Sequence, residues 1–188
     1  LIVLLFLSFT FLNGLRHISI ANYAGQKAGK FSDAPLLSCL DGYYYLRLTQ
    51  DLLDKQYDEY DELRGVKYPE PIPLLVRLSA AVQTITDISL ERIAIWLPVV
   101  LSGFMIFVYL SWGYTFGNHL TVIVAVLAGS SAQLWIVRSS AGRFDTDVLI
   151  PFFAYMIPFL VYKFAIEANK RRYFYLAAVL ILSITAYF

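Results

Sequence analysis

The sequence predicts an all-α polytopic membrane protein, and three observations support this class. Hydrophobic residues make up 59% of the 188 residues, and only 15% are charged. The mean hydropathy is +0.61, outside the usual range of soluble globular domains. The charges are also segregated, because residues 16–92 hold eleven of the fourteen acids and residues 93–188 hold only three. A long polar loop between apolar spans is the simplest arrangement that fits.

The net charge of +1 gives no reason to expect a nucleic-acid partner, since fifteen bases nearly cancel fourteen acids. The single cysteine, Cys39, has no second cysteine in the chain with which to form a disulfide. The chain has no initiator methionine and opens and closes within apolar runs. We therefore expect it to be a fragment of a longer protein.

Residues 1–15 are apolar but shorter than the roughly 20 residues that cross a bilayer, which predicts a truncated first span. Residues 16–92 are predicted to form a long first external loop with two amphipathic surface helices. Asp41 is expected to cap the first helix, over residues 41–53. The second, over residues 74–85, follows prolines that hold the backbone extended. The charged stretch 54–64 between these helices is expected to be hydrated.

The remainder, residues 93–188, is predicted to contain spans two to five, the fifth truncated. The apolar segments are residues 93–116, 120–137, 148–162 and 173–188. Asp87 or Ser89 is expected to cap the second span, with Glu91 in its first turn, and Asp147 is a plausible cap for the fourth.

The charge of the connecting loops predicts which side each faces. Residues 163–172 carry four bases and one acid, which places this loop in the cytoplasm by the positive-inside rule. Crossing one span backwards puts the acidic turn, residues 138–147, outside. Two further spans separate this turn from the long loop, so Asp41 is expected on the same non-cytoplasmic side.

The acidic turn is the strongest sign of a site. Asp145 and Asp147 are two of only three acids after residue 92, and an acid near a membrane span is costly enough to suggest a function. Together with Asp41 they could hold a hard cation such as Mg²⁺ or Mn²⁺, which would neutralise a departing phosphate. Arg138 and Arg143 could contact phosphate oxygens. The plainer alternatives are helix caps for the aspartates and membrane-interface anchors for the arginines.

Two segments then suggest a family. Leu40-Asp-Gly-Tyr-Tyr-Tyr-Leu-Arg-Leu and Arg138-Ser-Ser-Ala-Gly-Arg-Phe-Asp-Thr-Asp-Val-Leu, about a hundred residues apart, resemble the catalytic subunit of oligosaccharyltransferase. The nearest form is the bacterial single-subunit (PglB-type) enzyme. This resemblance implies a transmembrane helix bundle of the GT-C type in a bacterial inner membrane. It also implies inverting, metal-dependent transfer of an oligosaccharide from a polyprenyl diphosphate carrier to asparagine in an Asn-x-Ser/Thr sequon.

The resemblance also implies roles for particular residues. Asp41 and Asp145 would bind Mn²⁺ or Mg²⁺, with Asp147 in or next to the coordination sphere. Asp41 would hydrogen-bond the acceptor amide, and Arg138 lies where the family has an arginine near the diphosphate. One departure is that Cys39 stands where many relatives have a further acid. The later external loop and the domain that reads the sequon lie beyond this sequence, so the fragment alone is expected to be inactive.

Two other functions fit the same observations. Another GT-C enzyme could use an external acid to transfer a lipid-phosphate-linked sugar to a different acceptor. A cation-coupled transporter could use the carboxylates to bind its ion. Transporters commonly contain repeats and interrupted helices near mid-membrane, whereas this sequence has no visible repeat and its acids fall at the end of a span.

Overall fold

The computed structural model describes residues 2–25, 30–31, 34–35, 37–57, 60–61, 65–167 and 171–187. The described chain is mostly helical, which confirms the all-α prediction. Its helices are α1 (Ile2–Gly25), α2 (Leu40–Leu53), α3 (Leu74–Thr86), α4 (Leu90–Ser102), α5 (Met105–Phe116), α6 (His119–Ser131), α7 (Gln133–Arg138), α8 (Ile150–Ile166) and α9 (Arg171–Tyr187). A 3₁₀ turn, Thr146–Val148, precedes α8.

Two short antiparallel strand pairs lie in the long loop and were not predicted. Strands β1 (Lys30–Phe31) and β2 (Ala34–Pro35) form one pair, and β3 (Tyr60–Asp61) and β4 (Val66–Lys67) form the other. Pairs of two residues leave no hydrophobic periodicity in a sequence, so pattern analysis has no signal for them.

The main core joins the loop helix α3, the helices α4, α5 and α8, and the acidic turn. Its buried members include Leu75, Leu97, Phe144 and Phe159. A second cluster, which includes Leu12 and Val122, joins α1, α5 and α6. Because the turn contributes to the main core, packing of the spans fixes its position directly.

Helices α4 and α5 together form an apolar stretch of 27 residues, Leu90–Phe116, that is mostly buried in the bundle. The sequence predicted an uninterrupted span over residues 93–116. The structure instead changes from α-helix to i→i+3 hydrogen bonds around Gly103, where Ile106 N donates to Gly103 O at 3.1 Å. Pro98, within α4, cannot donate a backbone hydrogen bond, and such residues bend helices. The backbone hydrogen bonding of this stretch is therefore not uniform.

The predicted span over residues 120–137 is broken at Ala132, whose ψ of 116° is not helical. Helix α6 ends at Ser131, and the short helix α7 begins at Gln133. A run of uncharged residues does not reveal this break, because neither segment contains a proline.

Two helical stretches of the described chain are long and apolar enough to cross a membrane, Leu90–Phe116 and Thr146–Ile166. Four other apolar helical segments are shorter: Val3–Arg16, Leu74–Thr86, His119–Ser131 and Tyr173–Thr185. The five-span topology and the sides assigned to the loops therefore remain predictions.

Both helices predicted in the long loop are present, with bounds within one residue of the predicted ones. Helix α1 continues to Gly25, beyond the apolar run that ends at residue 15, and the limits of the span and of the loop stay predictions. Asp41 does not cap α2, because Cys39 is the extended N-cap residue and the helix starts one residue before Asp41. Asp87 ends α3 in a left-handed conformation, and Ser89 occupies the N-cap position of α4 without a side-chain capping bond.

The stretch 54–64 is not wholly hydrated as expected. Asp61 is buried and forms a two-pronged ion pair with Arg47 of α2, in which Arg47 Nη1 donates to Asp61 Oδ1 at 2.9 Å. The partner carboxylate raises the pKa of Arg47, so the pair stays charged. This pair attaches the second strand pair to α2.

Alanine substitutions at Gly42 and Gly14 test whether α2 packs closely against the acidic turn. A Cβ on Gly42 would lie 3.3 Å from the carbonyl oxygen of Phe144, whereas one on Gly14 of α1 would meet no atom within 4 Å. Alanine favours a helix by about 1 kcal/mol over glycine, but crowding a packed contact costs about 1–3 kcal/mol. We expect Gly42→Ala to destabilise the purified protein in thermal unfolding and Gly14→Ala not to. Equal unfolding midpoints for the two variants would contradict the close contact.

Candidate active site

The acidic turn packs into the helix bundle through apolar side chains. Phe144 and Val148 are fully buried in the main core, and Ala141 is buried against α4. Two polar residues of the turn, Ser139 and Asp145, are buried as well. The turn therefore packs into the bundle through both apolar and polar side chains.

Backbone hydrogen bonds tie the turn to the loop and to α4. Ser38 N donates to Gly142 O at 2.9 Å, and Gly142 N donates to Ile95 O at 3.2 Å. Gly142 has a φ of +75°, a conformation that glycine adopts without the steric cost that other residues incur. One glycine thus joins the segment before α2 to the membrane helix α4.

A buried arginine lies beneath the start of the turn. Arg16 of α1 is fully buried, its Nε donates to Ser139 Oγ at 3.1 Å, and its Nη1 donates to Leu12 O at 2.9 Å. Its guanidinium stands 5.7 Å from the centre of the Trp135 ring, within the range of a cation–π interaction. Within the part of the chain that is described, Arg16 Nη2 has no hydrogen-bond partner. These contacts hold α7 against α1.

The structure brings Asp41 and Asp145 to the same region. Asp41 lies exposed in the first turn of α2, where the helix dipole favours a negative charge. Asp145 is buried, with 8% of its surface exposed, and its Oδ1 accepts a bond from Thr146 Oγ1 at 3.3 Å. The charges of both carboxylates raise the pKa values of the same two neighbours, Cys39 and Tyr45. The segments that contain the two acids are in contact, because a Cβ on Gly42 would lie 3.3 Å from the carbonyl oxygen of Phe144.

The electrostatics of these neighbours describe this region. Burial raises the pKa of the Cys39 thiol, and Asp145 and Asp41 raise it further, while Arg143 lowers it. Burial also raises the pKa of the Tyr45 hydroxyl, with smaller contributions in the same direction from both acids. Both groups are therefore neutral near pH 7, and a surplus of negative charge lies beside them.

Asp147 does not join the other two acids. It forms an ion pair with Arg138 across the turn, and both side chains are partly exposed. Asp147 lies within the 3₁₀ turn, and Leu149 occupies the N-cap position of α8, so the prediction of Asp147 as a helix cap was wrong. The carboxylate of Asp147 accepts a hydrogen bond from Arg138 and does not cap the start of α8.

The described residues contain no group of three acidic, histidine or cysteine side chains close enough to hold a metal ion. The site predicted from Asp41, Asp145 and Asp147 therefore stays a prediction. The chemistry of Asp41 and Asp145 suits a hard divalent cation, because both supply carboxylate oxygens to a region of surplus negative charge. Arg138 already neutralises Asp147.

Arg143 borders the same region, since its charge acts on Cys39. Its Nε is buried and lacks a hydrogen-bond partner within the described part of the chain. A cationic donor without a partner near two acids can bind an anionic oxygen that approaches them. Arg138 is half exposed and already paired, so the two arginines are not equivalent.

The sequence analysis missed three residues of the site, Cys39, Tyr45 and Thr146. Tyr45 follows Asp41 by four residues and therefore shares its face of α2, a signal that helical spacing contains. The hydroxyls of Tyr45 and Thr146 lie 3.5 Å apart. Cys39 was considered for disulfide formation and as a departure from the family motif, and nothing in the pattern predicted that Asp145 would influence its pKa.

An all-α bundle of apolar helices, with a buried acidic turn pressed against a helix of a charged loop, defines an integral membrane protein with a polar site. The family model described as oligosaccharyl transferase STT3, N-terminal, matches residues 6–188. The match covers nearly all of the chain, which therefore belongs to this family of membrane glycosyltransferases. Their substrates are in general a lipid-linked oligosaccharide and a protein acceptor. No protein of curated function matches the sequence.

The single cysteine allows a test of this geometry. In metal-free buffer, we expect Cys39 to react with iodoacetamide at a rate that rises with pH through a midpoint above that of a free thiol, because its pKa is raised. Asp145→Asn removes a negative neighbour and should lower this midpoint. Asp147→Asn, which removes an acid paired with Arg138, is the matched control and should change it less. A larger shift for the control would contradict the arrangement.

Proposed function

We propose that the full-length protein transfers an oligosaccharide from a polyprenyl diphosphate carrier to the side-chain nitrogen of asparagine in an Asn-x-Ser/Thr sequon. The observation that supports this proposal is the close contact between the segment that contains Asp41 and the segment that contains Asp145, in a chain of the oligosaccharyltransferase family. A Cβ on Gly42 would lie 3.3 Å from the carbonyl oxygen of Phe144. The resemblance of both motifs favours the bacterial single-subunit form.

In this proposal Asp41 and Asp145 bind a divalent cation, Mn²⁺ or Mg²⁺. When bound, this ion would stabilise the negative charge that develops on the departing diphosphate. Asp145 is suited to the role because it is held rigidly by the packed turn. Asp147 stays paired with Arg138 and supports the position of that arginine.

Asp41 is the better placed of the two acids to contact the acceptor, because it is exposed whereas Asp145 is buried. Its carboxylate would accept a hydrogen bond from the acceptor amide and orient the nitrogen towards the anomeric carbon. The new carbon–nitrogen bond forms on the face opposite the leaving group, and the bond to the diphosphate oxygen breaks with its electron pair, which inverts the configuration. The amide proton passes to a carboxylate or to solvent.

Arg143 and Arg138 would bind oxygens of the diphosphate. The unpartnered Nε of Arg143, close to Cys39 and the acids, supports a direct contact. Arg138 lies on the other side of Asp147 and would contribute from the end of α7. Guanidinium groups suit this role because they form charge-assisted bonds with phosphate oxygens.

Replacement of either acid tests the proposed chemistry. We expect Asp41→Asn and Asp145→Asn in the full-length protein each to reduce glycosylation of a sequon peptide by about 100-fold or more, the scale for losing one electrostatic contact with the transition state. The assay follows peptide glycosylation with purified donor and added Mn²⁺ or Mg²⁺. Asp87→Asn is the matched control, because Asp87 is exposed at the end of α3, and it should retain full turnover. Unchanged turnover in Asp145→Asn would remove the metal-site proposal.

The non-cytoplasmic location of the site is also a proposal, and cysteine labelling tests it. In a Cys39→Ser background, Ser140→Cys places a thiol on the acidic turn and Glu167→Cys places one in the loop after α8. We expect a membrane-impermeant maleimide to label position 140 but not position 167 in sealed cells, and both after lysis. The opposite pattern would place the acidic turn in the cytoplasm and exclude an external transferase site.

A further inference from the structure

A cleft of about 540 Å³ lies between α5, the break from α6 to α7, and the first turns of α8. One end of the cleft is polar, because Arg138 and Asp147 line it there. Among the described residues, Asp41, Arg143 and Asp145 do not line it, so the cleft is separate from the region around the two acids. The rest of its wall is apolar or aromatic and consists of Met105, Tyr109, Gly129, Ala132, Leu134, Trp135, Ile150, Pro151 and Tyr155.

We propose that this cleft binds one bilayer phospholipid whose headgroup carries both a phosphate and a primary ammonium group, the chemistry of phosphatidylethanolamine. The headgroup lies at Arg138 and Asp147, and an acyl chain lies along α8. The inference concerns a bound lipid rather than the reaction, so it does not rest on the proposed transfer of an oligosaccharide.

The direction of the cleft matches that of a lipid in a bilayer. Asp147 precedes α8, and Ile150 and Tyr155 follow in its first two turns, so the cleft runs from the acidic turn along the apolar stretch Thr146–Ile166. Eight residues of helix rise about 12 Å. Helix α5 runs beside α8 at this depth, since Trp112 Nε1 donates to Tyr155 O at 3.0 Å. The cleft is therefore polar at the end of a membrane-length stretch and apolar along it.

The charges at the polar end complement a zwitterionic headgroup. Arg138 and Asp147 form an ion pair, and 44% and 29% of their side chains are exposed. Because the pair has no net charge, a headgroup with one positive and one negative charge complements it better than an anionic headgroup does. A guanidinium bonds phosphate oxygens well, and a carboxylate accepts hydrogen bonds from an ammonium group.

Both members of this pair keep bonding capacity. The bond between them uses Arg138 Nη1 and Asp147 Oδ2, so the other guanidinium N–H groups and Asp147 Oδ1 can bond the headgroup. A guanidinium has several N–H donors, and contact with a headgroup therefore leaves donors for the diphosphate in the proposed reaction.

A buried donor in the wall of the cleft also needs an acceptor. Trp135 is 9% exposed, and its Nε1 has no hydrogen-bond partner within the described part of the chain. It lies three residues before Arg138 in α7, about 5 Å along the helix axis. In a glycerophospholipid the ester carbonyl groups are a few bonds from the phosphate. A carbonyl oxygen can therefore meet this N–H when the phosphate meets Arg138.

The break between α6 and α7 leaves room for the acyl chain. Gly129 and Ala132 line the cleft there with almost no side chain, and a Cβ on Gly129 would lie 2.5 Å from the ring of Tyr109. On the walls of the cleft, Leu134 is 72% exposed and Ile150 is 55% exposed. Apolar side chains that exposed are suited to contact with a hydrocarbon chain. A volume of 540 Å³ lies within the range of small-molecule sites, roughly 300–1,000 Å³.

The dependence of stability on lipid headgroup tests the proposal. Full-length protein is purified in detergent, stripped of lipid and given dioleoyl lipids with an ethanolamine, choline or glycerol headgroup. We expect the ethanolamine lipid to raise the unfolding midpoint by about 2 °C more than the other two. Choline has no N–H group to donate to Asp147, and the glycerol headgroup has a net negative charge. Equal shifts with the three lipids would overturn the proposal.

Two substitutions locate the effect in the cleft. Ala132→Leu fills part of its volume and Trp135→Phe removes the unpartnered N–H, and each should remove most of the shift caused by the ethanolamine lipid. Ala128→Leu, exposed on α6, and Trp96→Phe, exposed on α4, are the matched controls outside the cleft and should keep the full shift. Each shift is measured from the lipid-free midpoint of the same variant, which separates lipid binding from a general loss of stability. A full shift in both cleft variants would contradict the site.

Native mass spectrometry identifies the occupant. Protein released from nanodiscs that contain equal amounts of ethanolamine and choline lipids should retain one ethanolamine lipid, and Ala132→Leu should lose it. Asp147→Asn should abolish the preference between the two headgroups. If added polyprenyl diphosphate displaces the lipid, the cleft belongs to the donor, and if a co-purified membrane protein replaces the lipid, the cleft is a protein interface. Either result would overturn the proposal.

Discussion

The candidate site depends on one contact, the packing of the first turn of α2 against the backbone of the acidic turn. Ser38 N bonds Gly142 O, and the absence of a side chain at Gly42 lets the helix approach the carbonyl of Phe144. Loop and membrane domain meet here through close backbone contact. This contact holds the turn of α2 that contains Asp41 next to the turn that contains Asp145.

A second constraint acts beneath the same turn. The guanidinium of Arg16 is fully buried, bonds Ser139 and stacks on Trp135, in a region where the described chain supplies no acid to pair with it. A buried charge is expensive unless its hydrogen bonds are well made, so this arginine costs stability. Its contacts with Ser139 and Trp135 hold the short helix α7 against α1. Contacts with α1 and with the segment before α2 together fix the position of the acidic turn.

The signals in the sequence that pointed to the candidate residues say little about their local geometry, and the roles of these residues stay predictions. Asp41, Asp145 and Arg143 were identified because charge is rare in the apolar half of the chain and because two segments resemble a known family. Their local conformations were predicted less well, since Cys39 rather than Asp41 begins α2 and Asp147 pairs with Arg138 instead of capping α8. Capping rules consider only residues next to the helix end in the sequence. Arg138, nine residues before Asp147, instead forms an ion pair with the carboxylate that those rules assigned to the helix.

The sequence by itself determined the membrane class, the helical content and the segregation of charge into one long loop, because these follow from composition and local periodicity. Only the tertiary structure decided which part of the loop contacts the acidic turn, that Asp145 is buried there, and where the apolar run of residues 120–137 is interrupted. Those features arise from contacts between residues about a hundred positions apart, as between Tyr45 and Thr146. No local pattern encodes such distances, since they depend on how the spans pack around the turn.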